Sequence, residues 1–403
     1  MNRAAVERAA VERAAVERAA VDRPAVIRLV SRRVDGPVNR RQESQAAGFS
    51  LVELMIAMTI GLMLISGAML IFQGNIRSAG LGQAIAGLQS NARFVLDEMS
   101  RDVRAAGYYG CASSPDTAFE VMVGDAPVDI TDPRAMSLVG TSVTAAGLAG
   151  LEDLGYVPPV AQGAPIVGTD ALVVQFAGPP GETLLADMNG RGDVLEIAGT
   201  MAGLAAGELA VIADCSGLDL FRIGTRTASG ANVRLQPVGN LSREYSIVPF
   251  PFGVHVHSYT SAIYYIGDSG RTTRAGDAVR SLYVQTFPYD LAVNPPLELA
   301  EGVDQMRLAF GMRVAGGGVR FVRPDDADFE PAAVTTVRIG LLMTSLQRFE
   351  DNVMPREFVL SGQAVLADSS PVPASAAGYP ADNRLRIPFE RSIAVRNRTV
   401  AEP

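Results

Sequence analysis

Two histidines, His255 and His257, stand one residue apart as H-V-H and are the only imidazoles in the chain. On a strand, alternate residues share a face, so both rings could approach one metal ion. Two ligands are too few, however, and no third residue stands at a usual metal-ligand spacing. The sequence favours a surface or loop pair instead. Asp325, Asp326 and Asp328 form an acidic turn with oxygen ligands of the kind calcium takes, yet the EF-hand spacing and its terminal Glu are missing. A solvated loop accounts for them. Arg191-Gly192-Asp193 matches a cell-attachment tripeptide, short enough to recur by chance, and follows a turn-forming Asn189-Gly190. There is no phosphate loop, Gly-x-Ser-x-Gly elbow or zinc-protease motif. The expectation is no catalytic residue, no metal, no cofactor and no enzymatic activity.

One carboxylate is harder to dismiss. From Gly48 the chain reads Gly48-Phe49-Ser50-Leu51-Val52-Glu53-Leu54, and an apolar stretch runs on to Phe72 with Glu53 as its only charge. A carboxylate at the centre of a membrane helix costs roughly 2.5 to 3.5 kcal/mol on insertion scales, so such groups usually have a partner and a function. An amine in the same low-dielectric medium would be a fitting partner, since each charge removes the other's unpaired penalty. The plain alternative is an anchor helix whose Glu53, about 6 Å from its start, snorkels to the headgroups.

The elements around this carboxylate follow from charge and periodicity. Ten Arg against six acids precede Phe49, a balance of +4 within a chain of net charge -8 and 403 residues. A basic flank before an apolar span keeps that side cytoplasmic and exports the rest. The exported part is acidic, which argues against bulk nucleic-acid binding. There is no Lys and no Trp, which we read as composition bias. The flank repeats R-A-A-V-E from Arg3, a five-residue period that fits neither a helix face nor a heptad, so residues 1–48 read as a low-complexity leader.

Beyond the span, Leu81, Ile85, Leu88, Ala92, Val95, Met99 and Val103 recur every three or four residues, the stripe of a helix packed on a globular head. The expected helix covers 49–106, with its transmembrane part at 49–72, and ends at Gly107. Glycines between 61 and 87 weaken its middle, which suggests local bending or melting on assembly. The head, 107–403, turns mostly to period two. Strands are expected at Ala171 to Phe176, at Met306 to Val314 as a half-buried strand, at Val319 to Val322, at Val334 to Met343 and at Leu385 to Val395. Pro388 points to an edge position in the last of these. Residues 112–240, rich in Gly, Pro, Ala and Asp, suggest long loops. Together these predict an α+β fold, a long helix on a mostly antiparallel sheet.

The only cysteines, Cys111 and Cys215, both fall on the exported side, and an even pair in an oxidising compartment favours a disulfide. The alternative is two buried free thiols. Arg384, Arg386, Arg391, Arg396 and Arg398 near the end offer phosphate contacts, but strand alternation makes most of them a polar sheet face.

At Gly48 to Leu54 the sequence resembles a type IV prepilin: a Gly, a Phe, three residues, then a Glu. The resemblance implies that a prepilin peptidase cuts between Gly48 and Phe49 and methylates the Phe49 amine. Glu53 would then neutralise the Phe49 amine of a neighbouring subunit. Arg104 to Cys111, Ala213-Asp214-Cys215, Leu220-Phe221-Arg222, Ala262 to Gly267, Glu301 to Asp304 and the end from Arg384 resemble, in order, segments of PilW-type minor pilins. That family implies a subunit of pilus assembly and initiation near the tip. Its partners would be the peptidase, other minor and major pilins and the inner-membrane assembly platform. It would sit in the bacterial inner membrane before assembly and in the pilus at the cell surface afterwards. The alternatives are a pseudopilin of type II secretion and a membrane-anchored adhesin or periplasmic protein.

Overall fold

An apolar run too long for a core helix and an alternating remainder give one long helix and nineteen strands among the described residues. The computed structural model describes residues 50–112, 118–122, 137–145, 147–148, 156, 158–178, 181–199, 204–247, 253–287, 291–292, 294–314, 316–349, 356–368 and 378–397. The leader, Gly48, Phe49 and Arg398 lie outside them. Helix α1 (Leu51–Ala105) is continuous through its glycines and spans the boundary between two compact units, Met1–Met69 and Leu70–Pro403. It ends where the sequence says it should: Gly107, at φ 72°, takes the left-handed conformation that commonly stops a helix.

The larger sheet has twelve strands. In chain order they are β1 (Ala118–Met122), β2 (Leu138–Thr144), β3 (Gly147–Leu148), β4 (Asp170–Ala177), β5 (Glu182–Thr183) and β6 (Leu195–Ile197). There follow β7 (Leu209–Asp214), β8 (Gly217–Ser229), β9 (Asn232–Pro237), β10 (His255–Thr272), β11 (Ala278–Thr286) and β12 (Leu297–Glu301). A second sheet orders β14 (Val319–Val322), β13 (Val303–Arg313), β15 (Val334–Arg348) and β19 (Arg384–Ala394). A third, smaller one joins β16 (Phe358–Leu360), β17 (Gln363–Asp368) and β18 (Gly378–Pro380). Pairing is antiparallel except between β1 and β8 and between β17 and β18. The fold is α+β as expected, and the strands expected at 171, 306, 319, 334 and 385 are β4, β13, β14, β15 and β19. Pro388 lies on β19, the edge of its sheet.

Two expectations fall short. Among the described residues the stretch 112–240 holds nine strands, β1 to β9, besides long connections such as 158–169 before β4. β10 pairs with both β5 and β7, and β7, β8, β9 and β6 follow in order. The circle closes where Leu185 N–H donates to Glu196 O and Ala198 N–H to Thr183 O, each at 2.9 Å. The result is a small barrel whose interior is a separate cluster including Leu195, Ile212, Phe221, Leu235 and Val256. Its strands β5, β6, β7 and β9 are short and set among Gly and Asp turns, so composition hides a period of two that Leu195-Glu196-Ile197 and Val233-Arg234-Leu235 carry. The second failure is β13, which is buried on both faces rather than one. Its Met306, Leu308 and Phe310 enter the main core. Arg307 on the other face reaches Asp170 of β4 at 3.0 Å, an ion pair with 5% and 1% side-chain exposure. The β16–β17 turn covers the same region, with Ser361 Oγ donating to Arg307 O at 3.0 Å.

The main core joins both sheets to the helix. Leu172, Val174 and Tyr264 from the larger sheet and Met306, Ile339, Leu341 and Ile393 from the second meet Ala92, Val95, Met99 and Val103. Alternate residues of β4 and β10, including Val173, Ile263 and Tyr265, face a second cluster shared with the outer wall of the barrel. β7 therefore has both faces buried.

Candidate functional site: the helix and its seat

The first part of α1 is built for a surrounding other than water. All residues from Leu51 to Phe72 are exposed except partly covered Gly61. This segment is long and apolar enough to cross a membrane. Its two hydroxyls need no outside partner: Thr59 Oγ1 donates to Ile56 O at 2.9 Å and Ser66 Oγ to Leu62 O at 2.7 Å. Such back-bonding satisfies hydroxyls where a bilayer offers no water. At the start, Ser50 Oγ accepts the Glu53 N–H at 3.1 Å and Ser50 O accepts the Leu54 N–H at 3.1 Å. Ser50 is thus the N-cap, with Glu53 one turn in, the S-x-x-E spacing of a capping box. That signal was present in the sequence and went unused.

From Gly80 onward the helix has a seat. Leu88, Ala92, Val95, Met99 and Val103 are buried as the stripe predicts, while Leu81 stays exposed and Ile85 half-buried. Leu96 and Ser100 are buried too, widening the stripe. Polar links flank it. Arg391 of β19 donates to Asp97 and, at 3.3 Å, to Ser100 Oγ. That hydrogen bond, helped by the Arg391 charge, holds the Asp97 carboxyl below its ordinary range. Tyr264 of β10 donates to Asp102 at 2.6 Å. Burial nevertheless pushes Asp102 above the usual carboxylate range, against that hydrogen bond and with the negative charge of Glu98 adding to it. Asn397 Nδ2 donates to the last helical carbonyls, Arg104 O at 3.1 Å and Ala105 O at 3.3 Å. Carbonyls at a helix C-terminus lack intrahelical donors, so this is a cap from the far end of the chain.

Past the helix, Gly107 N–H donates to Gln175 O at 3.0 Å and Ala177 N–H to Tyr108 O at 2.7 Å, stitching the junction to β4. Tyr109 is fully buried. Cys111 and Cys215 are joined by a disulfide across 104 residues, with Cα atoms 4.9 Å apart. Asp214 organises the turn beside it, accepting from Ser216 N at 2.8 Å and Gly217 N at 3.0 Å.

The remaining candidates resolve as structural groups. His255 and His257 do share a face of β10, their ring centroids 6.2 Å apart. They are not a surface pair, because His257 is buried, bonds Gly178 O through Nδ1 at 3.1 Å and meets Tyr108 edge-on. Burial lowers its basicity. Among the described residues no group of three or more His, Cys, Asp or Glu could hold a metal ion. Asp193 of the Arg-Gly-Asp turn accepts from Asn189 N at 3.0 Å and Val194 N at 2.8 Å. Asp325 and Asp328 pair with Arg323 and Arg320.

The terminal arginines are not one polar face. Arg384 and Arg386 are buried, Arg386 donating to Asp304 at 2.7 Å and pairing with Asp382 at 2.9 Å. Burial alone would raise Asp304, but the charges of Arg386, Arg384 and Arg280 together hold it below the ordinary range. These guanidiniums are closed to a phosphate backbone. Just before β13, Gly302, at φ 71°, lets the backbone pass close to β15, where a Cβ would lie 2.4 Å from Thr344 O.

Residues 263–397 match the family described as Type IV Pilus-assembly protein W. Residues 44–69 match the Prokaryotic N-terminal methylation motif. No curated protein and no solved structure matches the chain. A methylation motif at the start of a bilayer-length helix and a PilW match from the middle of β10 through β19 support a type IV pilus-related pilin.

Proposed function

We propose that this chain is a PilW-type minor pilin that takes part in assembly and initiation of the type IV pilus near its tip. The observation that carries the reading is one helix serving two surroundings. Leu51 to Phe72 offers apolar surface on every side, with Glu53 its only charge, whereas Leu88 to Val103 is seated in the head. At roughly 1.5 Å per residue such a segment matches the ~30 Å hydrocarbon core of a bilayer. Lipid covers it before assembly, and the helices of neighbouring pilins cover it afterwards.

Prepilin peptidase cuts the Gly48–Phe49 bond and methylates the Phe49 amine. The cut creates the charge that Glu53 lacks, and in the filament Glu53 neutralises the Phe49 amine of an adjacent subunit. The inner-membrane assembly platform and other minor and major pilins are the partners. Mass spectrometry of the mature protein should find methylated Phe49 at its N-terminus, and deletion should abolish piliation. Any other N-terminus, or piliation unchanged by deletion, would sink the reading.

A further inference from the structure

The geometry points to a ligand site apart from the helix and its processing: a groove on the outer wall of the barrel that binds a neutral saccharide. The groove measures about 400 Å³, within the range of small-molecule sites, and its polar lining is Asp193, Glu196, Thr225, Thr227, Arg234 and Gln236. Strand pairing builds its floor. Thr227 stands opposite Arg234 of β9, and Arg234 opposite Glu196 of β6, so three polar side chains form one row across the wall. Thr225 stands opposite Gln236 beside them. Alternation from Phe221 and Ile223, which belong to the barrel interior, would carry both threonines inward. A bulge between Ile223 and Thr225 turns them to the groove instead. The neighbouring turn is pinned as well: Gln236 Nε2 donates to Gly192 O at 2.7 Å and Leu241 N–H to Arg191 O at 2.9 Å.

The lining selects the chemistry of the ligand. Arg234 Nη2 donates to Glu196 at 3.1 Å, so an ion of either sign would compete with a partner already in place. An apolar ligand would take water from that pair and return no hydrogen bonds. A hydroxyl both donates and accepts. A run of adjacent hydroxyls can therefore meet carboxylate, guanidinium, amide and threonine groups together. A sugar ring presents such a run on a rigid frame, which limits the entropy lost on binding.

Thr225→Val and Thr227→Val together keep the branched shape and remove only the hydroxyls, which are exposed and bond no other group among the described residues. The full chain, held in phosphocholine micelles that carry no sugar headgroup, is titrated with neutral oligosaccharides of glucose, galactose, mannose and N-acetylglucosamine and followed by saturation-transfer NMR. At least one should bind with a millimolar Kd. The double Val form, with unchanged circular dichroism, should bind that sugar roughly tenfold more weakly, as expected for two lost hydrogen bonds. Should its dichroism change, Glu196→Gln carries the same expectation. A heparin-derived tetrasaccharide should bind no more tightly than the neutral sugar. Failure of all four kinds of sugar to bind at tens of millimolar, binding that survives the substitutions, or tighter binding of the heparin fragment overturns the inference.

Discussion

Asp97 and Asp102 sit five residues apart on one helix and are perturbed in opposite directions, which gives the seat a pH signature. Asp97 is held below its unfolded value of about 3.9 by Arg391. Its contribution is therefore present above that value and is lost as pH falls through the folded one. Asp102 is raised above its unfolded value by burial. Ionising it costs stability, and that cost is absent below about pH 3.9 and grows as pH rises through the folded value. Protection factors for amides 93–104 at pH 6 should fall in Asp97→Asn and hold or rise in Asp102→Asn. Protection that falls equally in both would refute the opposed shifts. Neither partner was legible in the sequence, because Arg391 and Tyr264 lie far along the chain and on different sheets. Their types gave no hint of pairing.

At the scale of elements, the helix separates positions that hold the head together from positions left for other contacts. Met99 is fully buried in the main core, whereas Phe94 is 54% exposed on the opposite side of the same turns. Met99→Ala should destabilise the full chain in detergent by about 2–5 kcal/mol, as core truncations do. Phe94→Ala should change its stability by less than about 0.5 kcal/mol, as surface substitutions do. Thermal unfolding distinguishes the two, and a large loss from Phe94→Ala would show that its surface is committed to the fold. The helix was the most legible element, since its stripe and Gly107 stop are local. β13 was misread because half-burial follows from alternation only when one face meets water. Arg307 occupies the nominally wet face and spends its charge on Asp170. The barrel strands were missed for a different reason: pairing between β5 and β6 is settled by closure of the whole circle, which no window of a few residues contains.

For the whole molecule, the disulfide joins the end of the helix to the barrel turn after β7. A crosslink closing a loop of about 100 residues is worth up to roughly 4.7 kcal/mol in the chain-entropy model. Replacing both cysteines by Ser should lower stability by about 2–5 kcal/mol. Because β7 is buried on both faces, the barrel and the sheet should still unfold in one transition. Near- and far-ultraviolet dichroism followed through denaturant would test this, and two separated midpoints would show that the barrel is an independent unit.

The seat also imposes an order of events. Its last wall is β19, and its closing contacts come from Arg391 and Asn397, nearly three hundred residues after the helix they grip. Synthesis from the N-terminus delivers the helix long before the strand that clasps it. The helix must wait, unclasped, until nearly all of the polypeptide has been made. Completion of synthesis is thereby written into docking, and an interrupted product that stops short of Arg384 lacks the grip that makes helix and head a single subunit.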